Sequence, residues 1–290
     1  MRRVNLIPMA GEGQRFIDAG YEMPKPLIDI NGLPMVVRAA KSLPEADQWI
    51  FICQESHITG SNIDEELIKH FPGALVLSVN YLTEGQASTC SLAKNRIDPT
   101  LPMTIAPCDS GSLYNRENFH KQLNGNADVL IWAIRGHPRA ALHPEQYGWI
   151  SESDGLVNAI STKVPLSDPR NNPIVIGTFS FKRAGDFFAA ADHMYARDGR
   201  INGEFYVDEC INDALEMGLT CAIFEVDHYL PWGTPDDLDT YHYWQSCFHK
   251  WRSHPYRLER DPLVAPKNVV GLDTAYAGEN SPRPCRRGTA

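Results

Sequence analysis

The feature of this sequence that most constrains its fold is the alternation of short apolar runs with segments of helical spacing. The apolar runs predict buried strands at residues 4–7, 49–53, 74–79, 103–107 and 128–134, the first of them breaking at Pro8. Helices are predicted between them at residues 34–40, 61–70 and 85–93. Strands that alternate with helices at this spacing indicate a parallel or mixed sheet with helices on both faces.

The alternation weakens after about residue 135. Residues 137–146 contain two prolines and two histidines, and we expect them to form a loop over the functional site of the protein. Further elements are predicted in chain order: strands at 147–150, 157–161 and 174–181, a helix at 207–215, a strand at 221–226 and a helix start at Thr234-Pro235. From about Pro262 the chain lacks periodicity, which predicts an irregular tail.

A polar turn with two glycines follows the first predicted strand. It reads Pro-Met-Ala-Gly-Glu-Gly-Gln-Arg-Phe, and a Pro-Lys-Pro-Leu segment follows it. Because glycine lets a backbone approach a ligand closely, the amides around Gly11 and Gly13 can point at phosphate oxygens. Arg15 adds a planar fork of donors, and Lys25 is held between two prolines. Together these residues predict a polyphosphate cradle.

The glycine turn alone is weak evidence for that cradle. It has neither the G-K-[ST] of a P-loop nor the third spaced glycine of a dinucleotide fingerprint. On the turn alone, a surface loop with a solvated arginine is an equally good interpretation.

Composition narrows the classes of function. The net charge of −9 argues against a nucleic-acid partner, because binding the phosphate backbone requires a basic surface. No apolar run approaches a membrane span, and the polar residues after Pro8 leave no room for a signal-peptide core. We therefore expect no membrane partner and a cytoplasmic location. The seven cysteines lack a C-x-x-C pair, which is poor evidence for a disulfide framework or a zinc site.

The glycine turn and the Pro24-Lys-Pro-Leu27 segment together resemble the signature of the sugar-phosphate nucleotidyltransferase family, the NDP-sugar pyrophosphorylases. Matches in family order extend over residues 4 to about 240. The resemblance implies a GT-A-like α/β fold: a Rossmann-like mixed sheet with helices on both faces and a small antiparallel acceptor-binding subregion at about 135–210. It implies a nucleotidyltransferase domain over 1–245 and a C-terminal extension over 246–290.

Two carboxylates are candidates for binding Mg²⁺. Asp109 follows the strand ending at Pro107, at the edge where open α/β sheets bind ligands, although a turn cap is the commoner role for a lone Asp-Ser-Gly. The resemblance favours the metal, and Cys108 stands where the family usually has glycine. Asp227, shortly before Trp-Gly-Thr-Pro, is the family's second acidic position, with Glu225 as its rival.

The remaining candidate residues follow from the resemblance. Nucleotide contacts are implied at Met9, Ala10, Gly11, Glu12, Gly13, Gln86, Ala87 and Cys108. Gln86 and Ala87 lie at the start of the helix predicted from residue 85, whose dipole can also face an anion or a base edge. Acceptor contacts are implied at Tyr147, Gly148, Lys163, Gly177, Thr178 and Glu204. Lys163 lacks the glutamate and proline that flank it in the family, and a solvated charge is an equally natural role for Glu204.

The implied reaction couples a nucleoside triphosphate to a phosphorylated sugar or sugar-like acceptor and releases pyrophosphate. Arg15 and the Gly11–Gly13 amides would hold the leaving pyrophosphate, Lys25 the α-phosphate and Lys163 the acceptor phosphate. The acceptor phosphate is already ionised, so catalysis requires positioning and charge neutralisation without a general base. CTP or another pyrimidine triphosphate is favoured, because the Pro-Met-Ala-Gly variant resembles enzymes of capsule and surface-polysaccharide loci.

Two alternative functions stay open. A GT-A glycosyltransferase shares the sheet but normally carries a D-x-D metal motif, which Asp109-Ser-Gly lacks. A non-catalytic nucleotide-sensing relative would be favoured by loss of Arg15, Lys25 or Asp109, and all three are present. The aromatic residues of 241–251 have helical spacing and are more typical of a core or a subunit contact than of a base-stacking platform, so a homo-oligomer is left open.

Overall fold

In the computed structural model, which describes residues 2–251, 253–262 and 264–277, most predicted apolar runs become strands. The strands are β1 (Val4–Met9), β2 (Asp29–Ile30), β3 (Leu33–Pro34), β4 (Gln48–Gln54), β5 (Leu75–Val79), β6 (Met103–Ile105), β7 (Ser110–Leu113), β8 (Val129–Ile134), β9 (Gly148–Ser153), β10 (Leu156–Thr162), β11 (Ile174–Phe181), β12 (Cys221–Glu225) and β13 (His228–Pro231). The helices are α1 (Gln14–Asp18), α2 (Met35–Lys41), α3 (Glu55–Ser61), α4 (Ile63–His70), α5 (Gln86–Ser91), α6 (Arg116–Leu123), α7 (Pro138–Leu142), α8 (Ala184–Ala196), α9 (Val207–Glu216), α10 (Pro235–Lys250) and α11 (Val269–Ala277).

By packing, the described residues fall into two units. The larger unit comprises those of Met1–Gly11, Leu43–Pro107 and Ser112–Tyr229, and the smaller unit those of Glu12–Ser42, Cys108–Gly111 and Leu230–Ala290. The predicted boundary at residue 245 stays a prediction, because these units are defined by packing and not by function.

The larger unit is a nine-stranded mixed sheet in the order β5-β4-β1-β6-β11-β8-β12-β10-β9. Strands β5, β4, β1 and β6 are parallel, and β11 runs antiparallel to both β6 and β8. On one face, Ile131 belongs to a core with residues of α5, α8 and α9; on the other, Leu130 and Trp132 pack with Phe119 of α6. Alternate residues of a strand point to opposite faces, so a strand covered on both faces reads as a continuous apolar run. The predicted α/β class, with helices on both faces, is confirmed.

The smaller unit is built around a β2–β3 hairpin and helices α1, α2, α10 and α11. Its core includes Phe16, Ile28 and Met35 from the first part of the chain and Trp232 and Leu238 from the last part. The hairpin turns at Asn31-Gly32, and α2 follows it directly, as predicted. Helix α10 begins at the predicted position, because the Thr234 side chain accepts a hydrogen bond from the Asp237 amide.

Two predicted element boundaries are wrong. Strand β1 continues through Pro8 to Met9, because the neighbouring strand β6 pairs only as far as Leu6 and no hydrogen-bond donor is needed on that side. Ser61 does not cap the helix that ends at His70: it is the last residue of the unpredicted helix α3. Asn62, in the left-handed conformation, separates α3 from α4.

Two predictions of irregular structure also need correction. Residues 137–146 contain the short helix α7 and a 3-10 turn at Pro144–Gln146, because Pro138 and Pro144 each start a helical turn, where a missing N–H costs nothing. The tail predicted from Pro262 contains helix α11, whose Tyr276 packs with Leu258 and Val264. The last part of that predicted tail, residues 278–290, lies outside the described residues.

Candidate active site

Lys25 and Asp109 form an ion pair in the smaller unit. The Lys25 ammonium donates a short hydrogen bond to Asp109 Oδ2. The two side chains are only 19% and 25% exposed, so this pair is largely shielded from water. Because shielding strengthens the attraction between opposite charges, the pair holds its geometry more firmly than a surface ion pair would.

The Lys25 ammonium is stabilised as a cation. Burial disfavours the charged form, but the Asp109 carboxylate, through its charge and its hydrogen bond, raises the pKa of Lys25 above its ordinary value. The Arg15 guanidinium acts in the opposite direction on the same pKa, which places its charge near Lys25. The structure therefore brings the predicted lysine and the predicted carboxylate into direct contact, and the Arg15 charge acts on the same lysine.

The backbone around Lys25 is fixed by local sequence. Lys25–Leu27 is a 3-10 turn, closed by hydrogen bonds from the Leu27 amide to the Pro24 carbonyl (2.8 Å) and from the Ile28 amide to the Lys25 carbonyl (3.2 Å). Gly13 has φ 70°, and a Cβ at this glycine would lie 3.0 Å from Lys25 Cβ. The predicted glycine is therefore needed for close approach of the turn to Lys25.

Asp109 is held by the segment that precedes α10. The Trp232 amide donates to the Asp109 carbonyl at 2.9 Å, and a Cβ at Gly233 would lie 3.1 Å from Asp109 Oδ2. Gly233 thus leaves space beside the carboxylate. The sequence carries no signal for this role of Gly233, although its Trp-Gly-Thr-Pro segment predicts the start of α10.

Cys108 is buried next to this pair. Burial, and then the Asp109 carboxylate, raise the pKa of its thiol to about 12. Cys108 is therefore a neutral thiol at physiological pH and is not equipped to act as a nucleophile.

The chemistry of Asp109 fits Mg²⁺. Mg²⁺ is bound by one or two carboxylates together with waters and substrate phosphates, and Asp109 offers a carboxylate beside space left by a glycine. Within the described residues, the three-residue group with metal-ligand spacing is a different one: His193, Asp213 and Glu216. There both Asp213 oxygens accept hydrogen bonds from Arg197 at 2.7 Å, so an ion pair between the residue that follows α8 and Asp213 of α9 explains the cluster.

The predicted nucleotide residues of the larger unit begin at the end of β1. Met9 and Ala10 are buried, whereas Gly11 is exposed, with no described atom within 4 Å of the position a Cβ would take. Gln54, at the end of β4, donates to the Ala10 carbonyl at 2.5 Å and lies 3.4 Å from the Tyr81 carbonyl. Gln54 was not predicted, because a lone glutamine after a strand carries no sequence signal. The remaining predicted residue, Glu12, is an exposed residue of the smaller unit.

The start of α5 lies against the backbone of Phe205. Gly85 has φ 116°, and a Cβ there would lie 2.6 Å from the Phe205 carbonyl oxygen. The Ala87 amide donates to that same carbonyl at 3.0 Å, so it is already bonded within the protein. The Ala87 amide is therefore not available to bind a nucleotide. Gln86, at the first position of the helix, stays a predicted nucleotide contact.

Several predicted acceptor residues lie together in the larger unit. The Lys163 amide donates to the Tyr147 carbonyl at 3.1 Å, and the Lys163 ammonium donates to the Gln146 carbonyl at 2.5 Å and lies 5.5 Å from the centre of the Tyr206 ring. A Cβ at Gly148 would lie 2.2 Å from a carboxylate oxygen of Asp208. Burial raises the pKa of Asp208 to about 6, and the Lys163 ammonium limits that rise. Asp208 was missed, although it lies within the helix predicted at residues 207–215.

The other predicted acceptor residues occupy turns and a bulge. Gly177 has φ 77° and lies where the pairing of β11 with β8 shifts register, next to the ring of Pro107, and Thr178 beside it is buried. Glu204 is exposed and follows the Asn202-Gly203 turn, with its Cβ close to Gly85.

The two rivals for the second acidic position differ in their contacts and exposure. Glu225 Oε2 lies 3.4 Å from Arg135 Nε, so this carboxylate is already paired with a cation. Asp227 is exposed, and its amide donates to the Leu113 carbonyl at 2.8 Å. Among the described residues, no side-chain hydrogen bond or ion pair engages the Asp227 carboxylate, which leaves it accessible to a ligand.

Solved structures of nucleotidyltransferases share the fold of this chain at low sequence identity. A nucleoside-diphosphate-sugar pyrophosphorylase from Vibrio cholerae superimposes with a TM-score of 0.67 at 20% sequence identity, covering 82% of this chain and 98% of its own. The chain has the nucleotidyltransferase fold. The inositol-1-phosphate CTP transferase from T. maritima gives a TM-score of 0.64 at 12% identity, covering 83% of this chain and 94% of its own. A UDP-glucose pyrophosphorylase from Acinetobacter baumannii gives 0.64 at 16% identity, covering 94% and 98%.

The nucleotidyltransferase fold was therefore correctly predicted from the glycine turn and the Pro-Lys-Pro-Leu segment. No protein-family model and no curated protein sequence matches the chain. Among the helices that the structure describes, none combines the length and the apolar character that crossing a membrane would require.

Proposed function

We propose that this chain is a Mg²⁺-dependent nucleotidyltransferase that couples a nucleoside triphosphate to a phosphorylated sugar or sugar-like acceptor and releases pyrophosphate. The observation that carries the proposal is the shielded Lys25–Asp109 pair, with Gly13 packed against Lys25 and the Arg15 charge nearby. A cation next to a hard oxygen ligand is the arrangement that phosphoryl-group chemistry requires, because catalysis consists of positioning and charge neutralisation. The nucleotidyltransferase fold supports the same conclusion.

Each residue has one proposed task. Lys25 binds the α-phosphate and neutralises the charge that develops on phosphorus, and Arg15 with the Gly11 and Gly13 amides binds the departing pyrophosphate. Asp109 would hold Mg²⁺, which when bound would neutralise charge on the triphosphate, and Asp227 is preferred to Glu225 as a second ligand. In the larger unit, Lys163 is proposed to bind the acceptor phosphate. The already ionised phosphate then attacks in line without a general base.

A pyrimidine triphosphate, CTP in particular, is the proposed nucleotide. Two proteins of the same fold support the pyrimidine preference, since one is named a CTP transferase and the other a UDP-glucose pyrophosphorylase. A role in polysaccharide biosynthesis and a cytoplasmic location are proposed with it, on the sequence resemblance and the absence of an apolar run of membrane length.

The function is tested by a screen for pyrophosphate release. The four nucleoside triphosphates are each incubated with Mg²⁺ and a panel of phosphorylated sugars and alditols. Pyrophosphate release that requires both a triphosphate and a phosphorylated acceptor is the expected result. Absence of pyrophosphate with every triphosphate, together with release of nucleoside diphosphate in a parallel incubation with NDP-sugars, would instead identify a glycosyltransferase.

A further inference from the structure

The C-terminal segment of the smaller unit packs on the hairpin that follows Lys25. The hairpin turns at Asn31 and Gly32, whose φ values of 55° and 77° give the turn its left-handed conformation. Asn31 is 2% exposed and Tyr276 of α11 is 1% exposed, so the contact between turn and helix is buried. A C-terminal helix thus covers a turn that lies only a few residues from a proposed catalytic lysine.

Side chains from two helices converge on Asn31. The Tyr276 hydroxyl lies 2.8 Å from both Asn31 Oδ1 and Gln245 Oε1, so it can donate to either acceptor. Gln245 Nε2 donates to the same Asn31 oxygen at 2.5 Å, and Asn31 Nδ2 donates to the Tyr241 hydroxyl at 2.9 Å. In a buried network of this kind, removal of one member leaves another polar group without its partner.

A second contact from the C-terminal segment holds the neighbouring residue of the turn. Asn268 Nδ2 donates to the Gly32 carbonyl at 2.9 Å, and a Cβ at Gly32 would lie 2.1 Å from that nitrogen. Glycine is therefore required both by the turn and by the approach of Asn268. Both residues at the tip of the hairpin are held by residues from beyond position 267.

The hairpin is connected to Lys25 through backbone hydrogen bonds. The Ile28 amide donates to the Lys25 carbonyl at 3.2 Å, and the Met35 amide donates to the Ile28 carbonyl at 2.8 Å. Arg38 Nη2 donates to the Asn31 carbonyl at 3.0 Å, which ties the tip to α2. A displacement of the tip therefore reaches the 3-10 turn of Lys25 through a short run of fixed backbone.

We propose that Tyr276 and Asn31 are positioning residues, through which the C-terminal helix holds the Lys25 turn in its position beside Asp109. The catalytic part of this inference rests on the proposed function, whereas its structural part does not. A misplacement of about 1 Å at a reacting group can cost on the order of 100-fold in rate, so a buried hydroxyl at this distance from the chemistry can influence turnover.

The test compares Tyr276→Phe with Tyr256→Phe as a matched control. Both variants remove one hydroxyl from the same C-terminal segment, but the Tyr256 hydroxyl bonds to Asp261 at 2.9 Å and not to the hairpin. Amide hydrogen exchange of Ile28 and Met35 is measured for both, together with kcat and the KM for the triphosphate. We expect roughly fivefold faster exchange and roughly tenfold lower kcat in Tyr276→Phe only, with KM changed by less than about twofold.

Asn31→Gly provides a second variant, because glycine accepts the left-handed φ and removes only the side chain. Because it also removes the bonds to Gln245 and Tyr241, its effects should be at least as large as those of Tyr276→Phe. The double variant should be less impaired than the sum of the two single effects, since both changes break the bond between Tyr276 and Asn31. Unchanged exchange at Ile28 and Met35, or equal effects from Tyr256→Phe, would overturn the inference. If the wild type releases no pyrophosphate, the proposed function fails, and the exchange data alone decide the positioning role.

Discussion

The Lys25 ammonium lies against the Asp109 carboxylate, although 84 positions separate the two residues in the sequence. While no anionic substrate is bound, each side chain neutralises the charge of the other, so neither shielded charge lacks a partner. A triphosphate that brings its own negative charge and a divalent cation would offer a new partner to both.

Asp109→Asn should abolish Mg²⁺-dependent pyrophosphate release, because the amide keeps the shape of the side chain but loses the charge that a hard cation requires. We expect at least about a 100-fold loss of kcat at saturating Mg²⁺. Titration of activity against Mg²⁺ checks this. Activity that survives in Asp109→Asn with an unchanged Mg²⁺ dependence would place the metal elsewhere.

Asp227→Asn and Glu225→Gln form a matched pair of substitutions two residues apart. Since Glu225 is paired with Arg135 and Asp227 is exposed, only Asp227→Asn should raise the Mg²⁺ concentration needed for half-maximal activity, by roughly tenfold. Mg²⁺ titrations of both variants distinguish the residues. A larger effect from Glu225→Gln would reverse the assignment.

Gly85→Ala should destabilise the larger unit by about 2–4 kcal/mol. The new methyl group would lie 2.6 Å from the Phe205 carbonyl oxygen, and the alanine backbone would have to adopt a positive φ. Gly73→Ala is the control: its φ of 80° is also positive, but no described atom lies within 4 Å of the added carbon. It should lose only about 1 kcal/mol. Urea denaturation measures both variants, and equal losses would show that the contact with Phe205 is unimportant.

Asp208→Asn should stabilise the protein at pH 7.5 but not at pH 4. The folded-state pKa of about 6 lies above the ordinary aspartate value of 3.8, so the folded protein retains a proton that the unfolded chain loses as pH rises between these values. The cost is therefore absent below pH 3.8 and complete above pH 6, where we expect the neutral amide to add about 1–3 kcal/mol. Thermal melts at both pH values test this, with Asp154→Asn at an exposed turn as the control. A gain of equal size at both values would contradict the assigned titration.

Much of this arrangement could be predicted from local sequence. The runs that form β4, β5, β8 and β11 were recognisable because they are apolar and bounded by turn residues. Lys25 and Asp109 were recognisable because each lies in a short motif. Three close contacts could not be predicted, because each joins residues that are far apart in the chain and produces no periodic pattern in the sequence. They are the contacts of Asn268 with Gly32, of Gly233 with Asp109 and of Asp208 with Gly148.

Long-range packing also explains the wrong predictions. The tail after Pro262 lacks an amphipathic pattern, yet α11 forms there because Tyr276 is buried against Leu258 and Val264 and bonds to Asn31. Propensity was overridden by tertiary contacts at that position. Pro8 was expected to end a strand, but the end of its neighbour β6 removed the need for a donor.

The most direct test of the account is the effect of Lys25→Ala on two quantities measured side by side: the dissociation constant of CTP with Mg²⁺ and the rate of pyrophosphate release with a phosphorylated acceptor. If Lys25 acts on charge that develops at the α-phosphorus, kcat should fall by at least about 100-fold while nucleotide affinity falls by less than about fivefold. Equal losses in affinity and turnover, or turnover close to that of the wild type, would contradict the central claim.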